Sequence, residues 1–125
     1  MTRNAITTDE LPVPVGPFSV AVHGDNLLFV SGQVAQDPAT GKLIDGDTGR
    51  QTEQILANLA VVLAAAGKNL GDVVRVGVYL TDMTDFAAMN DVYGRHFTAP
   101  YPARTTIGVA ALPLGAAVEI DVVVA

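Results

Sequence analysis

The chain has 125 residues, half of them hydrophobic, and no cysteine. That is enough for about one domain with a core of its own, and it excludes disulfides, thiolate metal sites and a cysteine nucleophile together. The net charge is −6 and the seven basic residues are scattered, which argues against a nucleic-acid partner, because phosphate binding needs a cluster of Lys and Arg.

In chain order, residues 1–16 read as an extended segment that carries Asp9, Glu10 and two prolines. It lacks the basic start and apolar stretch of a secretory signal. No apolar run approaches the ~20 residues needed to cross a bilayer. The expectation is a cytoplasmic protein without a membrane partner, its single domain spanning 1–125. Val20-Ala21-Val22-His23 and Asn26 to Gly32 are β-type runs around Gly24-Asp25, a hairpin signal. Gln36 to Gly41 is a cluster of turn formers and predicts a loop.

A helix is predicted from about Thr48 to Ala66. Thr48 and Gln51 fit a capping box. Ile55, Leu56, Leu59, Val62, Leu63 and Ala66 form an apolar stripe, and Gly67 is placed to terminate it. Val73 to Leu80 predicts a strand. A second helix is predicted from near Thr84, with Phe86, Met89, Tyr93 and Phe97 on its apolar face and Pro100 and Pro102 beyond its end. Two more strands, Thr105 to Ala111 and Val118 to Val124, are joined by Leu112 to Gly115.

The order ββαβαββ predicts an α+β domain with one mixed sheet and both helices on one face. The short connection predicts that the last two strands are antiparallel neighbours. Alternation assigns Val118, Ile120, Val122, Val124, Ile107, Val109, Val74, Val76, Val78, Leu80, Leu28 and Val30 to the helix side. The opposite side still holds Leu27, Phe29, Val73, Tyr79 and Val123. Charged residues make up only 16% of the chain, against about 25% in ordinary domains. Both points predict that this second face is buried between subunits.

Arg104 follows two prolines that stiffen its approach. Its guanidinium is a planar fork that matches a carboxylate, although a solvated strand-end arginine has the same pattern. Glu119, in an apolar strand, must find a partner or accept a raised pKa. A general base needs such a site, while an edge-strand charge that discourages aggregation looks the same in sequence. Arg104 and Thr106 share a strand face, as do Glu119 and Asp121. On neighbouring strands the fork and the carboxylate could converge. Ser31 and Gly32 end a strand and allow a backbone to approach a ligand. Asn90 shares the stripe of Phe86 and Tyr93, so its amide should need a partner. His23 and His96 lie in no ligand-spaced motif.

In order, these residues resemble the reactive-intermediate deaminase (Rid, or YjgF) family from about Pro17 to Ala125. The resemblance is carried by Gly-Pro-Phe-Ser (16–19), Leu-Phe-Val-Ser-Gly-Gln (28–33), Gln-Thr-Glu-Gln-Ile-Leu-Ala-Asn-Leu (51–59) and Asn-Asp-Val-Tyr (90–93). Pro-Ala-Arg-Thr-Thr (102–106) and Leu-Pro-Leu-Gly-Ala-Ala-Val-Glu-Ile-Asp (112–121) complete it. It implies a chorismate-mutase-like fold in a homotrimer around a central barrel, with active sites in clefts between subunits. It also implies cofactor-free hydrolysis of 2-aminoacrylate-type imino acids to 2-keto acids and ammonia.

By position, the resemblance makes Arg104 the carboxylate-binding arginine and Glu119 the residue that steers water. Ser31 and Gly32 become cleft-lining residues, and Asn90 and Tyr93 supporting ones. Phe18 replaces the archetype's tyrosine and Thr106 its cysteine. The alternative expectation is a non-catalytic trimer that binds small 2-keto or amino acids as a sensor. The acidic balance and the lack of a basic patch or histidine pair speak against the ribonuclease activity ascribed to some members.

Overall fold

The computed structural model describes residues 3–125, so residues 1 and 2 of the expected N-terminal extended segment lie outside the described residues. Six strands and two helices follow in the order β1 (Asn4–Ile6), β2 (Ala21–Gly24), β3 (Leu27–Gln33), α1 (Thr48–Ala65), β4 (Val73–Leu80), α2 (Phe86–His96), β5 (Ala103–Gly108) and β6 (Val118–Val124). The strands form one mixed sheet in the order β1-β2-β3-β6-β4-β5. Only the β4–β5 pair is parallel.

Cross-strand register fixes which side chains share a face, because directly opposed residues point the same way. Leu28↔Val124, Val30↔Val122↔Val76, Ile120↔Val78 and Val118↔Leu80 build one continuous apolar face. Against it pack Ile55, Leu56, Leu59, Val62 and Leu63 of α1 and Met89, Val92 and Tyr93 of α2, all buried. The stripe predicted for α1 is therefore its core face. The helix ends as expected at Gly67 (φ 73°). There the N–H of Lys68 bonds to Leu63 O and that of Gly67 to Ala64 O, the paired bonds of a glycine-terminated helix.

The sheet differs from expectation in ways that bear on the site. β5 and β6 are not neighbours, because β4 lies between them. The connection through residues 113–115 carries a 3₁₀ turn and steps across one strand. The phase of β5 is also reversed. Its parallel register places Arg104 beside Val76 and Thr106 beside Val78 on the helix face, and Ile107 beside Tyr79 on the opposite face. β5 is an edge strand beyond the reach of α1, so hydrophobicity alone does not choose its face. A bulge between Val73 and Arg75 shifts the start of β4 by one residue. As a result Val73 is buried and Val74 exposed, the reverse of simple alternation.

Smaller corrections have local causes. The hairpin turn is Asp25-Asn26, with Gly24 already paired to Leu27 and Asp25 in the left-handed region (φ 55°). The cap of α1 is Asp47, whose side chain accepts from Arg50 N. Thr48 instead donates to Asp85 Oδ2 (2.7 Å), which ties the starts of the two helices together. A 3₁₀ turn, Met83–Asp85, precedes α2. β1 pairs with β2; its three largely exposed residues carry no sequence pattern.

Gln51, the other half of the expected capping box, has a different task. It is buried, its Oε1 accepts from Ala117 N (2.9 Å) and its Nε2 donates to Gly46 O (3.4 Å). It thus anchors the start of β6 to the first turn of α1. Gln51→Ala leaves the half-buried N–H of Ala117 unpaired, so it is expected to cost about 1 kcal/mol. Chemical denaturation with an unchanged m-value would measure that loss.

Candidate functional site

The eight residues singled out from sequence fall into two groups on opposite faces of the sheet. The first lies where β5 meets α2. The side chain of Arg104 is half-buried, with its Cζ 4.5 Å from the centre of the Tyr93 ring and 5.6 Å from that of Phe86. Aromatic faces attract a guanidinium, so the two rings help to fix the position of the fork. Among the described residues the ion pairs are Arg95–Asp91 and His96–Glu53, so Arg104 has no carboxylate partner.

Around Arg104 lies an open depression of ≈ 390 Å³, lined by Asn90, Tyr93, Gly94, Tyr101, Pro102 and Arg104. Two hydroxyls on the same side of the sheet, Tyr93 Oη and Thr106 Oγ1, are buried without a hydrogen-bond partner. Burial pushes the Tyr93 phenol above its ordinary pKa, against the opposing pull of Arg104. Asn90 departs from expectation. It is exposed, off the buried stripe, and lines the depression.

The second group lies on the face away from the helices. Glu119 sits beside Tyr79 in register, with its carboxylate folded over Gly32. A Cβ at residue 32 would lie 2.5 Å from Glu119 Oε2, so any larger residue there would displace the carboxylate from this position. Gly77 plays the same part for Asp121, whose carboxylate accepts from Tyr79 Oη (2.9 Å). Burial, and then the charge of Asp121, raise the pKa of Glu119. The Ser31 hydroxyl is already committed, donating to Ser19 O (2.6 Å). It fixes the strap that carries Phe18, and Phe18, Ser31, Val22 and Phe29 line a broad shallow depression of ≈ 820 Å³.

On neighbouring strands the Arg104 fork and the Glu119 carboxylate could have converged within one chain; the register places them on opposite faces of the sheet instead. Arg104 shares a face with Val76, whereas Glu119 shares one with Tyr79. Two further residues lie beside Arg104 that sequence reasoning does not single out as candidates, Phe86 and Tyr101. Tyr101 stands between Pro100 and Pro102, where the chain can join neither helix nor sheet. That flanking was the available signal for an exposed aromatic ring. Among the described residues no group of His, Cys, Asp and Glu is arranged to hold a metal ion, and no helix is long and apolar enough to cross a membrane.

A single six-stranded mixed sheet with two helices on one face is a fold that this chain shares with RidA. The structure superposes on RidA from the Antarctic bacterium Psychrobacter sp. with a TM-score of 0.92 at 43% identity, covering 97% of this chain and 98% of that one. Escherichia coli TdcF, solved with bound serine, superposes with a TM-score of 0.89 at 34% identity over 97% of both chains. Among curated relatives, 2-iminobutanoate/2-iminopropanoate deaminase of Capra hircus is 42% identical over 98% of this chain and 90% of its own. Protein DfrA of Myxococcus xanthus is 48% identical over 98% and 95%. The family profile described as Endoribonuclease L-PSP matches residues 8–125. The chain belongs to that family, the Rid/YjgF family, as the ordered motifs indicate.

Replacing Gly32 by alanine is expected to push the Glu119 carboxylate off its seat and to lower any turnover that depends on that carboxylate at least tenfold. Circular dichroism should stay native, because the collision is with a side chain at the sheet surface. A fully active variant would separate Gly32 from the site.

Proposed function

We propose that this protein is a cofactor-free deaminase that hydrolyses small 2-imino acids to 2-keto acids and ammonia. The observation that carries the reading is Arg104, a fork set beside the rings of Tyr93 and Phe86 with no carboxylate to pair with among the described residues. A substrate carboxylate is the ligand such a fork fits. Relatives named as imine deaminases, and the serine bound in TdcF, support a small amino-acid-like substrate.

The two half-sites lie on opposite faces, so Arg104 and Glu119 act together only across a seam between copies. Arg104, Thr106, Asn90 and Tyr93 of one protomer meet Phe18, Ser31, Gly32 and Glu119 of its neighbour. The open face supports such an assembly, with Leu27, Phe29, Val74 and Ile107 exposed there. Monomers seldom leave so much apolar sheet uncovered. The assembly we propose is the family's homotrimer around a central barrel.

In the reaction, Arg104 binds the carboxylate and Glu119 takes a proton from water as the oxygen attacks the imine carbon. The nitrogen, protonated in turn, leaves the tetrahedral carbinolamine as ammonia and the carbonyl forms. The proton accounting closes without metal or redox partner, and the substrate is a small carboxylate rather than a nucleic acid. A coupled assay of freshly generated 2-iminopropanoate tests the proposal. Decay faster than in buffer, by a species of trimer mass in light scattering, is the expected result. A buffer-rate decay would overturn it.

A second reading, a binder of small 2-keto or amino acids, draws support from one feature. The open-face half offers few donors, because Phe18 has no hydroxyl and that of Ser31 is taken by Ser19. Saturable binding of pyruvate without imine turnover would favour it.

A further inference from the structure

We infer that the Arg104 depression selects acids with a bulky apolar side chain, and that Tyr101 is the residue that sets this preference. The inference rests on the carboxylate-binding role proposed for Arg104 and goes beyond it to the remainder of the ligand. Three observations carry it. Tyr101 is 62% exposed, although a phenol ring gains by burial. It lies three residues before Arg104, and both line the same depression. Neighbouring prolines 100 and 102 restrict the backbone there, so the ring is presented by a stiff strap rather than a mobile tip.

The other walls agree. Gly94 lies within α2, where glycine is an unfavourable helix former, and a Cβ there would meet nothing within 4 Å. No packing inside the protomer calls for that glycine, and its bareness widens the depression. Pro102 and the edge of Tyr93 supply further apolar surface. The volume of ≈ 390 Å³ falls in the range of roughly 300–1,000 Å³ usual for small-molecule sites. A three-carbon acid anchored on Arg104 has no side chain to set against Tyr101, whereas a leucine- or phenylalanine-derived acid would cover it.

The test has two arms. In the first, kcat/KM is measured for imines generated in situ from alanine, leucine and phenylalanine, with the wild type and with Tyr101→Ala. One extra hydrophobic group in a fitted pocket discriminates by roughly 10–200-fold, so the wild type should prefer the two larger imines at least tenfold. Tyr101→Ala should collapse that ratio toward one. In the second arm, calorimetry compares phenylpyruvate with pyruvate. It should give the same order of affinities and the same collapse whether or not the protein turns imines over.

A wild type that favours the alanine-derived imine and pyruvate overturns the inference while leaving the deaminase reading intact. So does a Tyr101→Ala variant that weakens all ligands equally. Absence of turnover with a retained preference in binding would overturn the deaminase reading alone. Gly94→Leu, which fills the same space from the helix side, should lower the ratio as Tyr101→Ala does. If it changes the oligomeric mass instead, the bare helix surface admits a second chain rather than a ligand, and the inference falls.

Discussion

Arg104→Ala is expected to reduce kcat/KM for small 2-imino acids by roughly 10²–10⁴-fold, the equivalent of two hydrogen bonds to a charged group at about 1.5–3 kcal/mol each. The loss should appear in ligand binding as well, because the fork has no other anion to hold among the described residues. Stability should change far less. The side chain contributes its stacking on Tyr93 and Phe86, worth about 0.5–2 kcal/mol, so the variant should melt only a few degrees lower. Arg104→Lys should recover little, since an ammonium neither forks nor stacks as a guanidinium does. Kinetics, pyruvate titration and a melting curve on the same preparations check all three statements. Normal imine hydrolysis by either variant would remove Arg104 from the site.

Glu119→Gln should slow hydrolysis by roughly 10²–10⁴-fold, the range for loss of a positioned acid–base group, with a smaller effect on ligand affinity. The pH dependence gives a sharper readout. Burial and Asp121 hold the Glu119 pKa above its ordinary value. The base form is therefore present above that raised pKa and is lost as pH falls through it. Wild-type activity should show an acid limb at higher pH than a free carboxylate would give, and the limb should vanish in the glutamine variant.

Stability should move the other way. Between the ordinary and the raised pKa the native state binds more proton than the unfolded chain. Stability therefore falls as pH rises through that window, and the deficit persists above it. At neutral pH Glu119→Gln should accordingly melt higher than the wild type while working more slowly. An unchanged pH profile would exclude Glu119 from the chemistry.

The contrast between what residues 48–66 disclose and what residues 103–124 conceal has a physical basis. The stripe from Ile55 to Leu63 is legible because burial against a sheet demands helical spacing, and the alternation of β6 is legible because both its faces differ in polarity. Alternation, however, assigns faces and says nothing about neighbours. The insertion of β6 between β3 and β4 is a long-range choice that no local pattern records. The face of β5 was misassigned because Ile107 is the apolar member of its pair with Tyr79 yet points away from the helices. The bulge at Val73 to Arg75 shifts a strand of nearly uniform valines, where the shift leaves no trace in hydrophobicity. Candidate site residues were legible as chemical types, Arg104 after two prolines and Glu119 among valines, but their placement on opposite faces followed from that hidden register.

The central position of β6 also governs how the molecule comes into being. It is made after every other strand described here, yet it fills the slot between β3 and β4. Until residues 118–124 leave the ribosome, two strands destined for the middle of the sheet stand with bare hydrogen-bonding edges, the condition that invites misassembly. The nascent chain therefore cannot settle progressively from its N-terminus. The seven residues of β6 act as a keystone, and consolidation of the whole sheet waits until they are in place.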